Sequence, residues 1–497
     1  MDNFLIIKEP PNILRSYRQV PSRDWQKYEA NSRLNLFQKM VSQVAAYKKF
    51  LKNHKFNPNK VKSLPSALLI PPVSKANYFR QFPLKDKLWP KYFNRALVAT
   101  STSGSTGKSS YFVRSAELDW QYSIIAEFFL QNGSSESTIL VNCFGMGVWI
   151  GGLITYQAFY YAANRGYPLT IITPGINKKE IFSTLREFAP NFKNIIFTGY
   201  PPFIKDILDE SKLEGIDLKK WNCRFIFAAE SFTENFRDYI ARVTGIKNIH
   251  KDTLNIYGTA ELGAMAFETP GSIFIRRLAI THPEILNQLF GNKKIPTLCQ
   301  YNPTFVSFEE QSGEILITAN SVTPFCRYQV GDSGGVYNLE EIIGVFRKYK
   351  IDLEALAKKS NIDLIKLPFV YVYERNDFST TLYGLQIYPQ TIKRALEIPS
   401  ISKKITGKFT LEAHYDKKSN QYLKINLELK PKMRSNKLFE YKVEKAIVRS
   451  LLKENSEYRE LRGMVGVSRT RPILSFWPYN DPHYFKSGIK QQWLKKQ

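Results

Sequence analysis

Thr102-Ser103-Gly104-Ser105-Thr106-Gly107-Lys108 puts four hydroxyl side chains, two glycines and a lysine into seven consecutive positions. Hydroxyls, bare backbone N–H groups and an ammonium are what grips phosphate oxygens. Glycine lets the backbone come close and take φ > 0 without steric cost. The stretch therefore reads as a phosphate loop. A Walker A loop needs G-x-x-x-x-G-K-[ST]. Gly107-Lys108-Ser109 fits its end, but its first glycine would fall on Thr102, so that loop is excluded. The bland alternative is a solvated Ser/Gly linker, and the flanking sequence has to decide.

Upstream, residues 1–93 read as polar and helical, with apolar positions at Leu34, Phe37, Met40, Val41 and Val44. Pro71-Pro72 breaks this region ahead of the loop. Downstream to about residue 260 the pattern alternates. Short β-branched runs (Thr138–Val141, Leu169–Ile172, Asn194–Phe197, Phe225–Phe227) are separated by helical stretches such as Lys179–Phe188 and Glu234–Val243. Strands alternating with helices predict an α/β fold with parallel or mixed sheets flanked by helices. A β-richer subdomain follows, with Gly313–Thr318 as its clearest strand, and 338–366 reads as a helical insertion. The last part changes character. Phe409–Tyr415 and Tyr422–Leu429 alternate apolar and polar residues around a Lys/Ser/Asn turn, which predicts a hairpin. A helix over Leu438–Leu452 and a strand near Ile473 complete a small α+β unit. The expected division is a large domain over 1–373 and a small mobile one over 374–497.

At 497 residues, with 43% hydrophobic and 14% aromatic content, the chain can bury large cores, which excludes global disorder. The formal charge of +27 favours acidic partners. The lysines come in scattered pairs, and no zinc-finger or RNP-like pattern accompanies them, so no specific nucleic-acid partner is expected. Peripheral contact with a membrane surface stays open. Cys143, Cys223, Cys299 and Cys326 are far apart, without metal spacing, and Met1-Asp2-Asn3-Phe4 does not start like a signal peptide. Reduced thiols in a cytoplasmic protein are the expectation. Gly145–Ala163 carries no charge and approaches the length of a membrane span. Its four glycines, Thr155, Gln157 and three tyrosines fit a buried helix after a glycine turn better.

Further motifs lie in fixed order. They are Ala228-Ala229-Glu230-Ser231, Tyr257-Gly258-Thr259-Ala260-Glu261, Arg327-Tyr328-Gln329-Val330-Gly331-Asp332, Glu374-Arg375-Asn376-Asp377 with Gly384–Pro389, and Ser487-Gly488-Ile489-Lys490. Together with residues 102–108, which match [ST]-S-G-[ST]-T-G-K throughout, they resemble the motifs of the adenylate-forming (AMP-binding) superfamily. Tyr47–Lys49, Lys62–Leu64 and Lys75–Phe79 look like the N-terminal region of its phenylacetate–CoA ligase branch, which includes capsule-biosynthesis relatives. The resemblance spans essentially the whole chain.

The resemblance implies a ligase that uses ATP and Mg²⁺ to convert a carboxylic acid into an acyl- or aryl-adenylate with release of pyrophosphate. Transfer to coenzyme A as a thioester follows. It implies that Thr102, Ser103, Gly104, Ser105, Thr106, Gly107 and Lys108 hold the β- and γ-phosphates, and that Glu230, Tyr257 and Gly258 line the nucleotide, Tyr257 facing the adenine. Glu261 would hold Mg²⁺, a hard cation that prefers carboxylate oxygen. Thr259 would reach the α-phosphate, Asp332 the ribose hydroxyls, and Arg375 the ribose or a phosphate. Lys490 would bridge substrate carboxylate and α-phosphate, with its neighbour Lys486 as the alternative. A homodimer is a further expectation carried over from relatives.

Departures from the pattern keep other readings open. Ala260 stands where a hydroxyl is usual, Glu374 replaces the hinge glycine, and Phe378 replaces a second hinge carboxylate. The segment between Asp332 and Arg375 is longer than usual and lacks a C-x-C-G cluster. One alternative keeps the adenylate but passes the acyl group to an amine, a sugar or a protein thiol such as Cys326. Another is a nucleotide-binding or scaffold protein without catalysis. The acid is expected to be aryl or fatty, bound partly by the Gly145–Tyr161 stretch through Met146, Trp149, Tyr156 and Phe159.

Overall fold

Alternate residues of the central strands face opposite ways, and both faces are apolar. Ile139 and Val141 join one buried cluster with Ile195, Phe197, Phe225 and Phe227. Leu140, Ile196, Ile226 and Leu254 join another on the opposite face. Strands buried on both faces are what a parallel sheet covered by helices requires.

The computed structural model describes residues 10–94, 97–101, 111–115, 120–147, 150–291, 295–373, 380–416 and 420–485. A short antiparallel pair, β1 (Val98–Ser101) and β2 (Tyr111–Arg114), flanks residues 102–110 in the sequence. The strands that follow are β3 (Thr138–Asn142), β4 (Leu169–Ile172), β5 (Asn194–Gly199), β6 (Asn222–Ala228), β7 (Thr253–Thr259), β8 (Gly263–Phe267) and β9 (Thr297–Gln300). Then come β10 (Val306–Gln311), β11 (Glu314–Ala319), β12 (Phe325–Tyr337) and β13 (Phe369–Val372). From β3 to β13 they form one 11-stranded sheet, ordered β10-β11-β12-β13-β9-β8-β7-β6-β5-β3-β4. Neighbours from β4 to β7 are parallel. From β7 onward all are antiparallel. The expected β-rich part is thus the antiparallel half of the same sheet.

Helices cover the faces. Those used below are α1 (Trp120–Gln131), α2 (Ile150–Ala163), α3 (Pro201–Leu213), α4 (Glu234–Thr244), α5 (Leu339–Lys348) and α6 (Leu353–Lys359). Thr233 caps the start of α4 by accepting from the Phe236 N–H, and Gly245, at φ 74°, ends it. The 338–366 stretch holds α5 and α6, and α5 opens with a capping box between Asn338 and Glu341. The uncharged 145–163 stretch yields only the 14-residue α2. Among the described residues no helix is long and apolar enough to cross a membrane. Its burial is one-sided. Phe159 is fully enclosed, while Tyr156 and Tyr160 face outward.

Beyond residue 380 the chain builds separate sheets. β14 (Thr380–Leu382) and β15 (Leu385–Ile387) form a tight pair. β16 (Ile405–Tyr415) and β17 (Gln421–Leu429) form the expected hairpin, and β18 (Ile473–Trp477) adds parallel to β17. Helix α7 (Lys437–Glu454) packs Phe439, Val443, Ile447 and Leu451 onto this sheet. These residues share one continuous apolar cluster with the β5–β6 face of the large sheet.

Candidate active site

Parallel α/β sheets bind ligands beyond the carboxyl ends of their strands, where loops and turns leave a crevice. At that end of β6, Ala229 takes φ 73°. A left-handed alanine is uncommon and needs surrounding support. The Asn255 amide supplies some of it, donating to the Glu230 carbonyl at 3.2 Å. The Glu230 side chain is buried. Its carboxylate accepts from the Gly384 N–H and, at 3.1 Å, from Gln421 Nε2.

β7 and β8 meet in a tight turn that carries the Tyr257–Glu261 motif. The Thr259 hydroxyl accepts from the Leu262 N–H at 3.2 Å, which closes the turn. Gly263 is at φ 74°, and the Arg114 guanidinium lies where a Cβ would stand. Arg114 also donates to the Leu262 carbonyl at 3.1 Å, so the end of β2 is fastened to the turn. Only glycine combines that φ with so close a neighbour.

β12 clasps the same turn from the other side. The Tyr257 hydroxyl donates to Asp332 Oδ2 at 2.5 Å. The Tyr328 hydroxyl donates to Glu261 Oε1 at 3.2 Å. Glu261 and Asp332 are both buried. Lys75 Nζ reaches Glu261 Oε1 at 2.5 Å. A buried carboxylate is costly unless paired, and here the partner is an ammonium.

Lys75 is held by local chemistry. Ser74 and Asn77 form a capping box: the Ser74 N–H donates to Asn77 Oδ1 at 2.6 Å, and the Asn77 N–H to Ser74 Oγ at 3.2 Å. Just before it, Val73 pairs with β12 through Val73 N–H to Arg327 O (3.1 Å) and Gln329 N–H to Val73 O (2.8 Å). Arg327 is buried and donates to the Leu68 and Ile70 carbonyls and to Gln311 and Glu309. It fastens the N-terminal region to β12 and is committed to that task.

The structure thus brings Tyr257, Thr259, Glu261 and Asp332 together at one corner of the sheet and adds Lys75 and Tyr328. Lys75 stood in the sequence only within Lys75–Phe79, a stretch that resembles the N-terminal region of the phenylacetate–CoA ligase branch. What makes it a site residue is the strand pairing of Val73, which no local pattern announces. Residues 102–108, Arg375, Glu374, Phe378, Lys486, Lys490 and Trp149 lie outside the described residues. Of the expected acid-binding residues, Phe159 packs in the core and Tyr156 faces outward. Met146 sits beside Asn142, whose amide it approaches at 3.9 Å. Cys326 is buried, and burial pushes its thiol up to about 11. Acyl transfer needs thiolate, so Cys326 is unsuited to carry an acyl group. A cavity of about 460 Å³ lined by Phe192, Lys193, Lys220 and Trp221 lies elsewhere, at the amino ends of β5 and β6.

Among solved structures, 2-hydroxyisobutyryl-CoA ligase with 2-HIB-AMP and CoA in its thioesterification state matches with a TM-score of 0.64. The match covers 97% of this chain and 91% of that one at 14% identity. The chain has the fold of the adenylate-forming superfamily. The same ligase in its postadenylation state with 2-HIB-AMP matches at TM-score 0.54, 13% identity, and 97% and 90% coverage. Its open conformation with 2-HIB-AMP and CoA gives TM-score 0.54, 13% identity, and 97% and 93% coverage. These are three arrangements of one enzyme. Of the three, the first gives the highest TM-score. No family profile and no curated protein sequence matches the chain.

Proposed function

We propose that the protein activates a carboxylic acid with ATP as an acyl- or aryl-adenylate and transfers the acyl group to coenzyme A. The observation that carries this reading is the corner where Tyr257 meets Asp332 and Glu261 meets Lys75 and Tyr328. The adenylate-forming fold and the order of the sequence motifs support it. In the first step an oxygen of the acid carboxylate bonds to the α-phosphorus, and the bond to the bridging oxygen breaks to release pyrophosphate. In the second step the CoA sulfur bonds to the acyl carbon, AMP leaves with the original carboxylate oxygen, and the thiol proton is lost to solvent.

Both steps are catalysed chiefly by positioning and by charge stabilisation. Asp332 accepts from the ribose hydroxyls, with Tyr257 orienting its carboxylate and offering its ring to the adenine. Thr259 keeps its hydroxyl at the turn, within the corner that faces the α-phosphate. Residues 102–108 hold the β- and γ-phosphates. Arg375 reaches the ribose or a phosphate, and Lys490 bridges acid and α-phosphate.

Mg²⁺ needs only one or two carboxylates, with phosphate oxygens and water completing its shell. A lone buried Glu261 that already faces a cation fits that demand, although no cluster of three ligand side chains occurs among the described residues. When bound, the ion neutralises charge on the phosphates. Residues 374–497 form the mobile part, and an aryl acid is the first substrate class to try.

The test is pyrophosphate release with ATP and Mg²⁺ across aryl, medium-chain and long-chain acids, each with and without CoA. Release that depends on one acid class, with CoA converted to thioester, is the expected result. Release that never consumes CoA would move the acceptor to another class, and silence with intact ATP binding would leave a nucleotide-binding protein.

A further inference from the structure

On α3 a fully buried carboxylate has partners from both parts of the chain. Asp206 is 1% exposed. From the large part, Lys178 approaches its Oδ2 at 3.6 Å. From the small part, the Tyr383 hydroxyl donates to Oδ2 at 3.2 Å, and Arg469 Nη2 lies 3.5 Å from Oδ1. Burial raises the carboxyl pKa, and Lys178 and Arg469 act against that rise.

Two features fix this contact in place. Tyr383 and Gly384 occupy the β14–β15 turn with φ 50° and 81°. A Cβ on Gly384 would stand 2.6 Å from the Tyr200 ring, so this turn presses directly against the large part. Lys205, the residue before Asp206, donates to Asn420 Oδ1 at 3.2 Å, again across the same boundary.

We propose that Asp206, Arg469 and Tyr383 form a latch that holds the small part in its present orientation and so favours acyl transfer over adenylation. The inference rests on the proposed two-step function for its catalytic consequence, but the latch itself is a statement about orientation. If the small part turns away, Asp206 loses the Tyr383 hydroxyl and the Arg469 guanidinium and keeps Lys178 among the described partners. These contacts to a charged group are made where water is excluded and exist only in the docked orientation, so they shift the population toward it. Arg469 and Tyr383 are positioning residues in this scheme and touch no substrate.

The test uses the full chain labelled for fluorescence energy transfer at Lys212→Cys and Tyr441→Cys, both exposed positions on opposite parts. The four native cysteines are buried, which favours labelling at the introduced ones. Arg469→Ala is expected to shift or broaden the distance distribution, and Arg469→Lys to restore most of it. Pyrophosphate exchange should stay within twofold while thioester formation falls about tenfold. An unchanged distribution in both Arg469→Ala and Tyr383→Phe would overturn the latch, whatever the activity does. A shifted distribution in a protein that activates no acid would uphold the latch and refute the function on which its catalytic role rests.

Discussion

Lys75 Nζ sits 2.5 Å from Glu261 Oε1, so the carboxylate expected to hold a metal ion is already neutralised by the chain's own cation. The Lys75 side chain is 39% exposed and Glu261 only 1%. The ammonium can therefore leave toward solvent or an incoming phosphate, while the carboxylate stays where it is. Lys75→Met removes the competing cation. It should lower the Mg²⁺ concentration needed for half-maximal turnover and raise the KM for ATP about tenfold. Glu261→Gln should flatten the Mg²⁺ dependence and cut kcat by at least a hundredfold. Mg²⁺ titrations at saturating ATP check both; unchanged profiles would remove Glu261 from the metal site.

The hydroxyl of Tyr257 orients Asp332. A hydrogen bond to a charged group is worth about 1.5–3 kcal/mol. Tyr257→Phe should thus raise the KM for ATP by about tenfold and lower the melting temperature, although the ring keeps its packing against Phe308. Asp332→Asn should cost more than Tyr257→Phe in ATP affinity, which calorimetry with ATP alone would read. Equal, wild-type affinity in both variants would contradict the ribose assignment.

Glu457 lies in the first turn of the helix Ser456–Val465. Burial, with Glu460 nearby, pushes its carboxyl up to about 7. A folded-state pKa above the unfolded one stabilises the fold fully below the unfolded value, near 4.5. That stability is lost as pH rises through about 7, and amounts to ~3 kcal/mol at full ionisation. Glu457→Gln should therefore match the wild type in melting temperature at pH 5 and exceed it at pH 8.5. Parallel melting curves across this range would show that Glu457 carries no shifted proton.

Ala229 holds φ 73° beside Glu230. Glycine pays no steric cost there, so Ala229→Gly should be neutral or stabilise by up to about 1 kcal/mol, despite glycine's greater freedom in the unfolded chain. Chemical denaturation would measure it. A loss of more than 1 kcal/mol would mean that the methyl group packs usefully.

Much of the molecule was legible because the signals were local. The runs Thr138–Val141, Asn194–Phe197 and Phe225–Phe227 are strands because both faces of each are apolar. The β16–β17 hairpin followed from simple alternation around a polar turn. Long-range registration was not legible. No pattern near Val73 says that it pairs with β12 and so delivers Lys75 to Glu261. No pattern near Asp206 announces that Arg469, far along the chain, meets it. Composition does not separate the residues of α2. Phe159 and Tyr156 look alike in sequence, but helical rotation buries one and exposes the other.

The most direct test of acid activation uses an acid that supports pyrophosphate release, with ¹⁸O in its carboxylate, incubated with ATP, Mg²⁺ and CoA. Attack by the carboxylate on the α-phosphorus predicts one ¹⁸O in the phosphate of AMP after thioester formation, seen by mass spectrometry. Label in inorganic phosphate, or unlabelled AMP beside labelled acid, would contradict an acyl-adenylate.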